Sequence, residues 1–318
     1  MNLSDLTTLR LGGPVGELVT CTTEEQLVEA ALSGGYVLGG GSNVVMPDAG
    51  LARVALVRTT GITVDGRTLT CDAGVVWDDA VQRAIAEGLT GFEAMSGIPG
   101  TVGAAPIQNI GAYGAEVSSY LSSVRALDRS TGEISEIAQA DCGFAYRTSR
   151  FKQEAGRWVV LSAAFELPTD PRPVRYAELA RSLGVDVDQP AAPQPVRDAV
   201  LALRRSKGMV LDPVDPDSVS AGSFFTNPLV EAAPDGAPHW PDPSGLVKVS
   251  AAWLIERSGF AKGWGDGRIG LSSKHTLAVV NRGGGTTAEL LDVMRTIQSG
   301  VLECFGIQLV NEPVIVSA

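Results

Sequence analysis

The sequence predicts an α+β protein made of two or three packed units. Its 318 residues exceed the length of one average domain. Hydrophobic residues make up 44% and charged residues 19%, values that allow a large core in a globular protein. Helix and strand patterns mix in α/β order over the first hundred residues, and strands that look antiparallel follow them.

The first third of the chain carries two helix signals. Thr22 and Glu25 fit a capping box, and Leu27, Ala30 and Ala31 form an apolar stripe behind it. The second helix is predicted from Trp77 to Glu87, and strands are predicted at 36–38, 51–57 and 68–74.

The middle of the chain favours antiparallel strands. The segments 122–129 and 132–138 are separated by a short turn, and a longer strand is predicted at 157–167. A short helix at 176–183 lies between two Pro-rich stretches, and a further helix is predicted at about 196–207. A domain boundary is expected near 205–218, where prolines and aspartates break any regular element.

The last hundred residues favour packed helices and short strands. Thr286 and Glu289 fit a second capping box, which predicts a helix beginning there. Its apolar positions recur at helical spacing and are Leu290, Met294, Ile297 and Val301. Another helix is predicted at 250–259, and strands are predicted at 276–281 and 309–316.

Composition excludes several function classes. A net charge of −11 argues against nucleic acid or an anionic membrane as partner, because both require a positive surface. We find no run of 18 apolar residues, and the first 13 residues lack the order of a signal peptide, so a cytoplasmic protein is expected. Four scattered cysteines and two histidines predict reduced thiols and no metal centre.

Two glycine-rich segments are candidate ligand sites. The motif GGGSN at 39–43 follows a predicted strand, and its backbone amides suit phosphate oxygens, although a tight turn alone would also explain it. The longer segment 96–116 combines five glycines with small residues and isoleucines. Main chain exposed in this way suits a pyrophosphate-linked cofactor with a planar ring; the alternative is a flexible glycine-rich loop.

Three polar side chains stand in unusual surroundings. Arg147 lies between aromatic and small residues, where its planar fork could pair with a carboxylate or enolate, or it is an ordinary surface arginine. Glu312 precedes a proline in an apolar strand, so it is either an exposed strand end or a buried carboxylate. Ser223, in AGSFFTNP, is either a turn serine or a proton donor kept dry by the two phenylalanines.

The motifs together resemble the UDP-N-acetylenolpyruvoylglucosamine reductase (MurB) family. They are LGGGSN, IPGTVGAAPIQNIGAYGAE, YRTSRF, AGSFFTNP and the late NEP, in the order and spacing of that family. The resemblance implies a two-part FAD-binding region of the vanillyl-alcohol-oxidase/PCMH type, followed by a smaller α+β substrate-binding domain. It places the FAD-binding region at 1–208, with subdomains of about 1–60 and 61–208 and a returning strand at 313–318, and the substrate-binding domain at 209–312.

The resemblance also implies the reaction. NADPH reduces bound FAD, and the flavin then reduces the enolpyruvyl ether of a UDP-amino sugar to UDP-N-acetylmuramate, a step of peptidoglycan precursor synthesis. Arg147 and protonated Glu312 match the residues that hold the charge developing on the substrate, and Ser223 matches the donor of a proton to the alpha carbon. The expected partners are small molecules, with no nucleic acid and no membrane, and the expected state is a cytoplasmic monomer.

The resemblance also implies which other residues contact the cofactor and the substrate. Predicted cofactor contacts are Gly39, Gly40, Gly41, Ser42, Asn43, Ser96, Gly97, Ile98, Gly100, Thr101, Gly103, Ala104, Ile110, Gly111 and Arg204, the last of which could instead form an ion pair on a helix surface. Predicted substrate contacts are Tyr113, Tyr146, Tyr176, Lys207, Asn227, Lys262 and His275. Tyr176 suggests the subgroup with a tyrosine over the nucleotide, Lys262 could equally be a solvated surface lysine, and His275 could relay protons.

Three other function classes share some of these sequence features. Another FAD enzyme that oxidises an alcohol would share the glycine-rich segments but lack GSFF-x-NP and the late glutamate. A serine hydrolase would need a base and a nucleophile elbow, whereas neither histidine lies in a triad context. A non-catalytic nucleotide-sugar binder would not need Arg147, Ser223 and Glu312 together.

Overall fold

The computed structural model describes residues 1–317, which pack as two compact units. The central unit contains Gly16–Gly40 and Ala52–Arg205. The terminal unit contains Met1–Val15, Gly41–Leu51 and the chain from Ser206 onward. The change of unit after Arg205 lies at the expected boundary, but residues 1–15 and 41–51 pack with the C-terminal part rather than with residues 52–205. The division into a cofactor domain and a substrate domain stays a prediction.

The described residues form helices and strands with the following bounds. The α-helices are α1 (Glu24–Leu32), α2 (Trp77–Ala86), α3 (Arg150–Gln153), α4 (Ala177–Leu183), α5 (Pro193–Ser206), α6 (Ala251–Arg257) and α7 (Thr287–Phe305). The strands are β1 (Val15–Cys21), β2 (Tyr36–Leu38), β3 (Val44–Val45), β4 (Leu51–Val57), β5 (Ile62–Asp65), β6 (Thr68–Asp72), β7 (Gly111–Ala112), β8 (Ala115–Glu116), β9 (Leu121–Asp128), β10 (Ile134–Ala138), β11 (Trp158–Glu166), β12 (Arg172–Pro173), β13 (Pro190–Ala191), β14 (Leu229–Val230), β15 (His239–Pro241), β16 (Val247–Val249), β17 (Ile269–Leu271), β18 (Val279–Asn281) and β19 (Val314–Ile315).

The central unit is built on a five-stranded antiparallel sheet in the order β10-β9-β11-β6-β5. The predicted pairing of β9 with β10 is confirmed, with Ile134 opposite Leu127. Trp77, Phe92 and Phe165 are almost fully buried in its core, and their rings pack within 6.1 Å of one another. This core supports the glycine-rich segment, because Ile98, Ile107 and Ile110 pack against it.

A second sheet of the central unit has the order β1-β4-β2, with β2 and β4 parallel. Helix α1 packs its buried residues Leu27, Ala30 and Ala31 into a core that includes residues of this sheet. The predicted capping box at Thr22 is wrong by one residue, since the hydroxyl that accepts the Gln26 amide belongs to Thr23. The Thr22 amide and hydroxyl bond instead to the Gln26 side chain, so both threonines stabilise the first turn.

The terminal unit has its core around α6 and α7. The predicted capping box between Thr286 and Glu289 is confirmed, and the predicted apolar stripe of α7 is buried. Phe224 and Phe225 lie in this core with ring centroids 5.3 Å apart. None of the helices among residues 1–317 has the length and apolarity that crossing a membrane requires.

Several predicted elements differ in extent, among them the following three. Helix α5 begins at Pro193, three residues before the prediction, because proline at the start of a helix loses no hydrogen bond. The predicted strand at 276–281 is regular only as Val279–Asn281. The predicted strand at 309–316 is also broken: Asn311 bridges Phe225, Pro313 interrupts the pairing, and only Val314–Ile315 forms a strand, parallel to β3.

Candidate functional site

Two amide-rich turns meet in the central unit. Gly39 and Gly40 follow β2, and a Cβ atom on Gly40 would lie only 2.6 Å from the Cα of Gly100. A Cβ on Gly39 would similarly lie 2.5 Å from the Thr101 hydroxyl. Glycine is therefore required here by contact between the two turns, a protein-packing reason that adds to the ligand-approach argument from sequence.

Asp78 fixes the second of these turns. Its carboxylate accepts the Gly97 amide at 2.7 Å and both terminal nitrogens of Arg197 at 2.7 Å. Burial acts to raise the pKa of Asp78, but the hydrogen bonds from Arg197 and Gly97 outweigh it, so the pKa is lowered. The turn that begins at Gly97 is thus held by a charged side chain of α2, which the sequence motif did not reveal.

The other predicted cofactor residues of this turn have mixed surroundings. The Ser96 hydroxyl donates to the Glu93 carbonyl at 2.7 Å, and the Gly103 amide donates to the Ala73 carbonyl at 2.9 Å. Ala104 is exposed. Ser96 and Gly103 therefore stabilise the turn by hydrogen bonds, whereas Ala104 lies at its surface.

Arg204 is a buried cation of the central unit. It lies on α5 and is 8% exposed. Burial lowers its pKa to about 10, with Tyr113 and Asp78 opposing the shift and Arg147 adding to it. The guanidinium remains charged at neutral pH, and an anion beside it would be stabilised. Together with the amides of the two turns, this donor chemistry fits the diphosphate of a dinucleotide cofactor.

The Arg147 guanidinium is held by backbone carbonyls. Its Nη1 donates to the Asn109 carbonyl at 3.3 Å and its Nη2 to the Gly111 carbonyl at 2.7 Å. Its carbon Cζ lies 5.4 Å from the ring centroid of Tyr146. Arg147 itself has φ of 54°, a left-handed conformation that costs free energy in a non-glycine residue and is typical of functional positions.

Gly111 lies directly against the Arg147 guanidinium. A Cβ on Gly111 would lie 2.6 Å from the Ala115 carbonyl oxygen and 3.2 Å from Nη1 of Arg147. The β7–β8 hairpin therefore brings the backbone of Gly111 directly against the arginine. Only a residue without a side chain permits this approach.

Two predicted substrate tyrosines touch each other. The rings of Tyr113 and Tyr176 lie 5.3 Å apart in an edge-to-face arrangement. Tyr113 has φ of 49°, and burial raises its pKa to about 12. Tyr176 is 43% exposed, so the pair presents an aromatic edge at the surface of the central unit.

In the terminal unit, Ser223 lies on a segment held from both sides. The Phe224 amide donates to the Leu277 carbonyl at 2.7 Å, and the Phe224 carbonyl accepts the Glu312 amide at 2.8 Å. Ser223 is half-buried, and the neighbouring phenylalanine rings anchor its segment in the core. The pairing brings the backbone of Glu312 beside Phe224, the residue that follows Ser223.

Asn43 supports Glu312 in the same unit. Its side-chain amide donates to the Glu312 carbonyl at 3.4 Å, and its own carbonyl accepts the Val314 amide at 3.0 Å. Gly41 and Ser42 precede it, and the Gly41 carbonyl accepts the Thr8 amide at 3.1 Å. The second half of the GGGSN motif therefore also fixes the chain that carries the glutamate.

The remaining predicted substrate residues lie in the terminal unit with different exposures. Asn227 accepts the Ala251 amide at 2.9 Å, so it also caps α6. His275 is half-buried in the turn that precedes Leu277, and Lys207 is half-buried after α5. Lys262 is exposed in a loop.

The structure thus groups the predicted residues within each unit. The central unit brings together Arg147, Gly111, Tyr113, Tyr146, Tyr176 and Arg204, and the terminal unit brings together Ser223, Glu312 and Asn43. Sequence reasoning missed Asn109, a buried residue with φ of 45° beside Arg147. Its position inside QNIGAYG was a usable signal, because asparagine tolerates left-handed backbone better than most residues.

Comparison with known proteins identifies both parts of the chain. A family model for an FAD binding domain matches residues 18–138, and one for the C-terminal domain of UDP-N-acetylenolpyruvoylglucosamine reductase matches residues 213–316. The enzyme of that name from Thermobifida fusca is 49% identical over 99% of this chain and 96% of its own length. The one from Mycobacterium marinum is 49% identical over 99% of this chain and 93% of its own.

A solved structure agrees with these matches. The crystal structure of UDP-N-acetylenolpyruvylglucosamine reductase (MurB) from Thermus caldophilus superposes with a TM-score of 0.71 at 26% identity, covering 100% of this chain and 98% of that one. The predicted α+β class, with an FAD-binding domain and a further C-terminal domain, is confirmed. The relationship predicted from the motifs is confirmed as well: the chain belongs to the UDP-N-acetylenolpyruvoylglucosamine reductase family.

Proposed function

We propose that this protein reduces the enolpyruvyl ether of UDP-N-acetylglucosamine enolpyruvate to UDP-N-acetylmuramate, with FAD as cofactor and NADPH as reductant. The observation that carries the proposal is similarity to the reductases over 99% of the chain, through both the FAD-binding and the C-terminal family models. The reaction is a step of peptidoglycan precursor synthesis. The chemistry that FAD supplies when bound is hydride transfer, from NADPH to the terminal carbon of the enolpyruvyl group.

The central unit supplies groups that suit the cofactor. Backbone amides at Gly39, Gly40 and Gly100 would bind phosphate oxygens, and Arg204 would balance their charge. The Gly97 amide is bonded to Asp78, so it would hold the turn in place for the phosphate. The buried position of Arg204 favours this assignment over an ion pair on the helix surface. Gly41, Ser42 and Asn43 continue the first turn and stay proposed cofactor contacts.

Arg147 would stabilise charge on the substrate. Addition of hydride to the terminal carbon leaves negative charge on the carboxylate and the alpha carbon, and a donor in a fixed position is most effective against it. The carbonyls of Asn109 and Gly111 orient the guanidinium in advance. We assign protonated Glu312 to the same charge, on a segment fixed by Asn43 and Phe224.

Ser223 would deliver the proton to the alpha carbon. An alcohol is a weak acid in water, so this role requires an intermediate that is more basic than the alkoxide. General acid catalysis of this kind typically contributes about 10²–10⁴-fold in rate. Ser223 is half-buried on a segment held from both sides, so its backbone is fixed, and the bound substrate would complete the exclusion of bulk water.

The nucleotide end of the substrate is assigned to the remaining residues. We propose that Tyr176 covers the nucleotide, as in the subgroup that keeps this tyrosine, and that Tyr113 supports it by ring contact. The other proposed substrate contacts are Tyr146, Lys207, Asn227, Lys262 and His275. We further propose a cytoplasmic monomer with an FAD-binding region at 1–208 and a substrate-binding domain at 209–312.

A two-step colour experiment tests this function. The purified protein should be yellow because of bound FAD. Under anaerobic conditions NADPH should bleach it, and UDP-N-acetylglucosamine enolpyruvate should then restore the colour. UDP-N-acetylglucosamine lacks the enolpyruvyl group and should leave the protein bleached. A colourless protein that takes up no FAD, or a bleached protein that the enolpyruvyl substrate does not reoxidise, would refute the proposal.

The same experiment separates the other function classes. An FAD enzyme that oxidises alcohols would be bleached by a sugar alcohol group and recoloured by oxygen. A serine hydrolase or a nucleotide-sugar binder would show neither step. Only the reductase couples bleaching by NADPH to recolouring by the enolpyruvyl ether.

A further inference from the structure

Asn109 is a buried asparagine with unusual backbone geometry in the central unit. It is 1% exposed and has φ of 45°, in the left-handed region. Two other non-glycine residues nearby, Tyr113 and Arg147, share this conformation at 49° and 54°. Left-handed backbone at a non-glycine residue persists only where the surroundings enforce it, and it concentrates at functional sites.

The Asn109 side chain bonds to residues 116–118 and to the segment that contains Arg147. Its Nδ2 donates to the Glu116 carboxylate at 3.1 Å and to the Ala145 carbonyl at 3.2 Å. Its Oδ1 accepts the Ser118 amide at 3.0 Å. The bond to Ala145 fastens residue 109 to the segment that contains Arg147, and the bonds with Glu116 and Ser118 close the segment 109–118 on itself.

A second contact fastens the same two segments. The Ser149 hydroxyl, fully buried, donates to the Ile107 carbonyl at 2.7 Å. Lys152 donates to the Arg147 carbonyl at 3.1 Å. The backbone on both sides of Arg147 is therefore held relative to residues 107–111, which carry the two carbonyls that accept from its guanidinium.

We propose that Asn109 is a positioning residue for Arg147. Its side chain sets the place and direction of the Asn109 and Gly111 carbonyls, and these set the orientation of the guanidinium toward the substrate carboxylate. The proposal rests on the proposed role of Arg147 in the reductase reaction. Asn109 itself makes no contact with substrate in this scheme, so its effect must pass through the arginine.

The test uses the FAD-containing enzyme and the variant Asn109→Gly. Glycine accepts the left-handed backbone without strain, so the change removes the three side-chain hydrogen bonds and keeps the carbonyl. Stopped-flow absorbance gives two rates, bleaching by NADPH and recolouring by UDP-N-acetylglucosamine enolpyruvate. Arg147→Lys serves as the reference for a disturbed guanidinium, and Asp188→Gly, at an exposed residue with φ of 69°, controls for replacing a left-handed residue by glycine.

We expect Asn109→Gly to slow recolouring about 10–100-fold, because misplacing a group by an ångström can cost this much, and to leave bleaching within about twofold. Combining it with Arg147→Lys should add little, since both act through one guanidinium. Equal slowing of both half-reactions, or unchanged recolouring while Arg147→Lys slows it, would overturn the proposal. If wild-type enzyme is not recoloured, or Arg147→Lys has no effect, the proposed function or the role of Arg147 fails instead.

A second pair of variants tests the positioning role of Asn109 if Asn109→Gly retains no flavin. Glu116→Gln keeps an oxygen that can accept from Asn109, whereas Glu116→Ala removes it. The proposal predicts slower recolouring for Glu116→Ala than for Glu116→Gln, with equal bleaching in both. Equal recolouring by the two variants would show that the anchoring of Asn109 does not control the arginine.

Discussion

The pair formed by Arg197 and Asp78 gives a prediction whose size follows from the structure. Both terminal nitrogens of Arg197 lie 2.7 Å from the Asp78 carboxylate, and the two side chains are only 10% and 26% exposed. Breaking a fully buried ion pair costs about 3–5 kcal/mol, and an exposed pair contributes about 0–1 kcal/mol. For this partly buried pair we expect Arg197→Met to lower the free energy of unfolding by about 2–3 kcal/mol.

Thermal unfolding of the FAD-free protein measures this loss. In a unit of this size each kcal/mol corresponds to roughly 2–4 °C, so the midpoint should fall by about 4–12 °C. The matched control is Arg67→Met in the same unit. Arg67 also donates two nitrogens to one carboxylate, that of Glu166, but these side chains are 60% and 47% exposed, so the loss should not exceed about 1 kcal/mol.

The lowered pKa of Asp78 determines how the stabilisation by this ion pair changes with pH. Because the pKa of Asp78 is lowered in the folded protein, the pair stabilises fully above the unfolded pKa of about 4, and the stabilisation is lost as the pH falls through the folded value. The difference between wild type and Arg197→Met should therefore shrink in acid. Equal losses for Arg197→Met and Arg67→Met, or a difference that grows in acid, would refute the reasoning.

Two further predictions concern the glycine turns and the thiols. Gly40→Ala should weaken FAD binding at least about tenfold, because the new Cβ atom would collide with Gly100. The control Gly66→Ala places its Cβ in open space, so it should cost about 1 kcal/mol of stability and leave FAD binding unchanged. FAD titration of the two apoproteins compares the affinities. Native protein should react rapidly with a thiol reagent at the exposed Cys304 alone, since burial protects the other three cysteines and raises the pKa of Cys71 to about 12. Rapid reaction of all four thiols before unfolding, or equal FAD affinity in both glycine variants, would contradict these expectations.

The sequence predicted the regular elements best where a strong local pattern exists. The capping box at Thr286 and the stripe through Met294 both appear in α7, because helix signals are local. The strand at 309–316 is overpredicted because the apolar composition outweighs Pro313, which has no amide hydrogen to donate to the pairing. The bounds of short strands depend on their partners, which periodicity does not show.

The candidate site was predictable in its residue types but not in its supports. Arg147 was singled out from its neighbours, yet the carbonyls that orient it belong to Asn109 and Gly111, 38 and 36 residues away in the chain. Likewise, no motif connects Asp78 on α2 with the amide of Gly97. These supports are contacts between distant segments, so only the folded chain reveals them.

The two half-reactions of Ser223→Ala test the assignment of the proton donor. We expect bleaching by NADPH at nearly the wild-type rate and recolouring by UDP-N-acetylglucosamine enolpyruvate slowed by about 10²–10⁴-fold, the usual contribution of a general acid. Ser244→Ala, in an exposed turn, should leave both rates unchanged. Equal slowing of the two half-reactions in Ser223→Ala, or recolouring at the wild-type rate, would contradict the assignment of Ser223 as the proton donor.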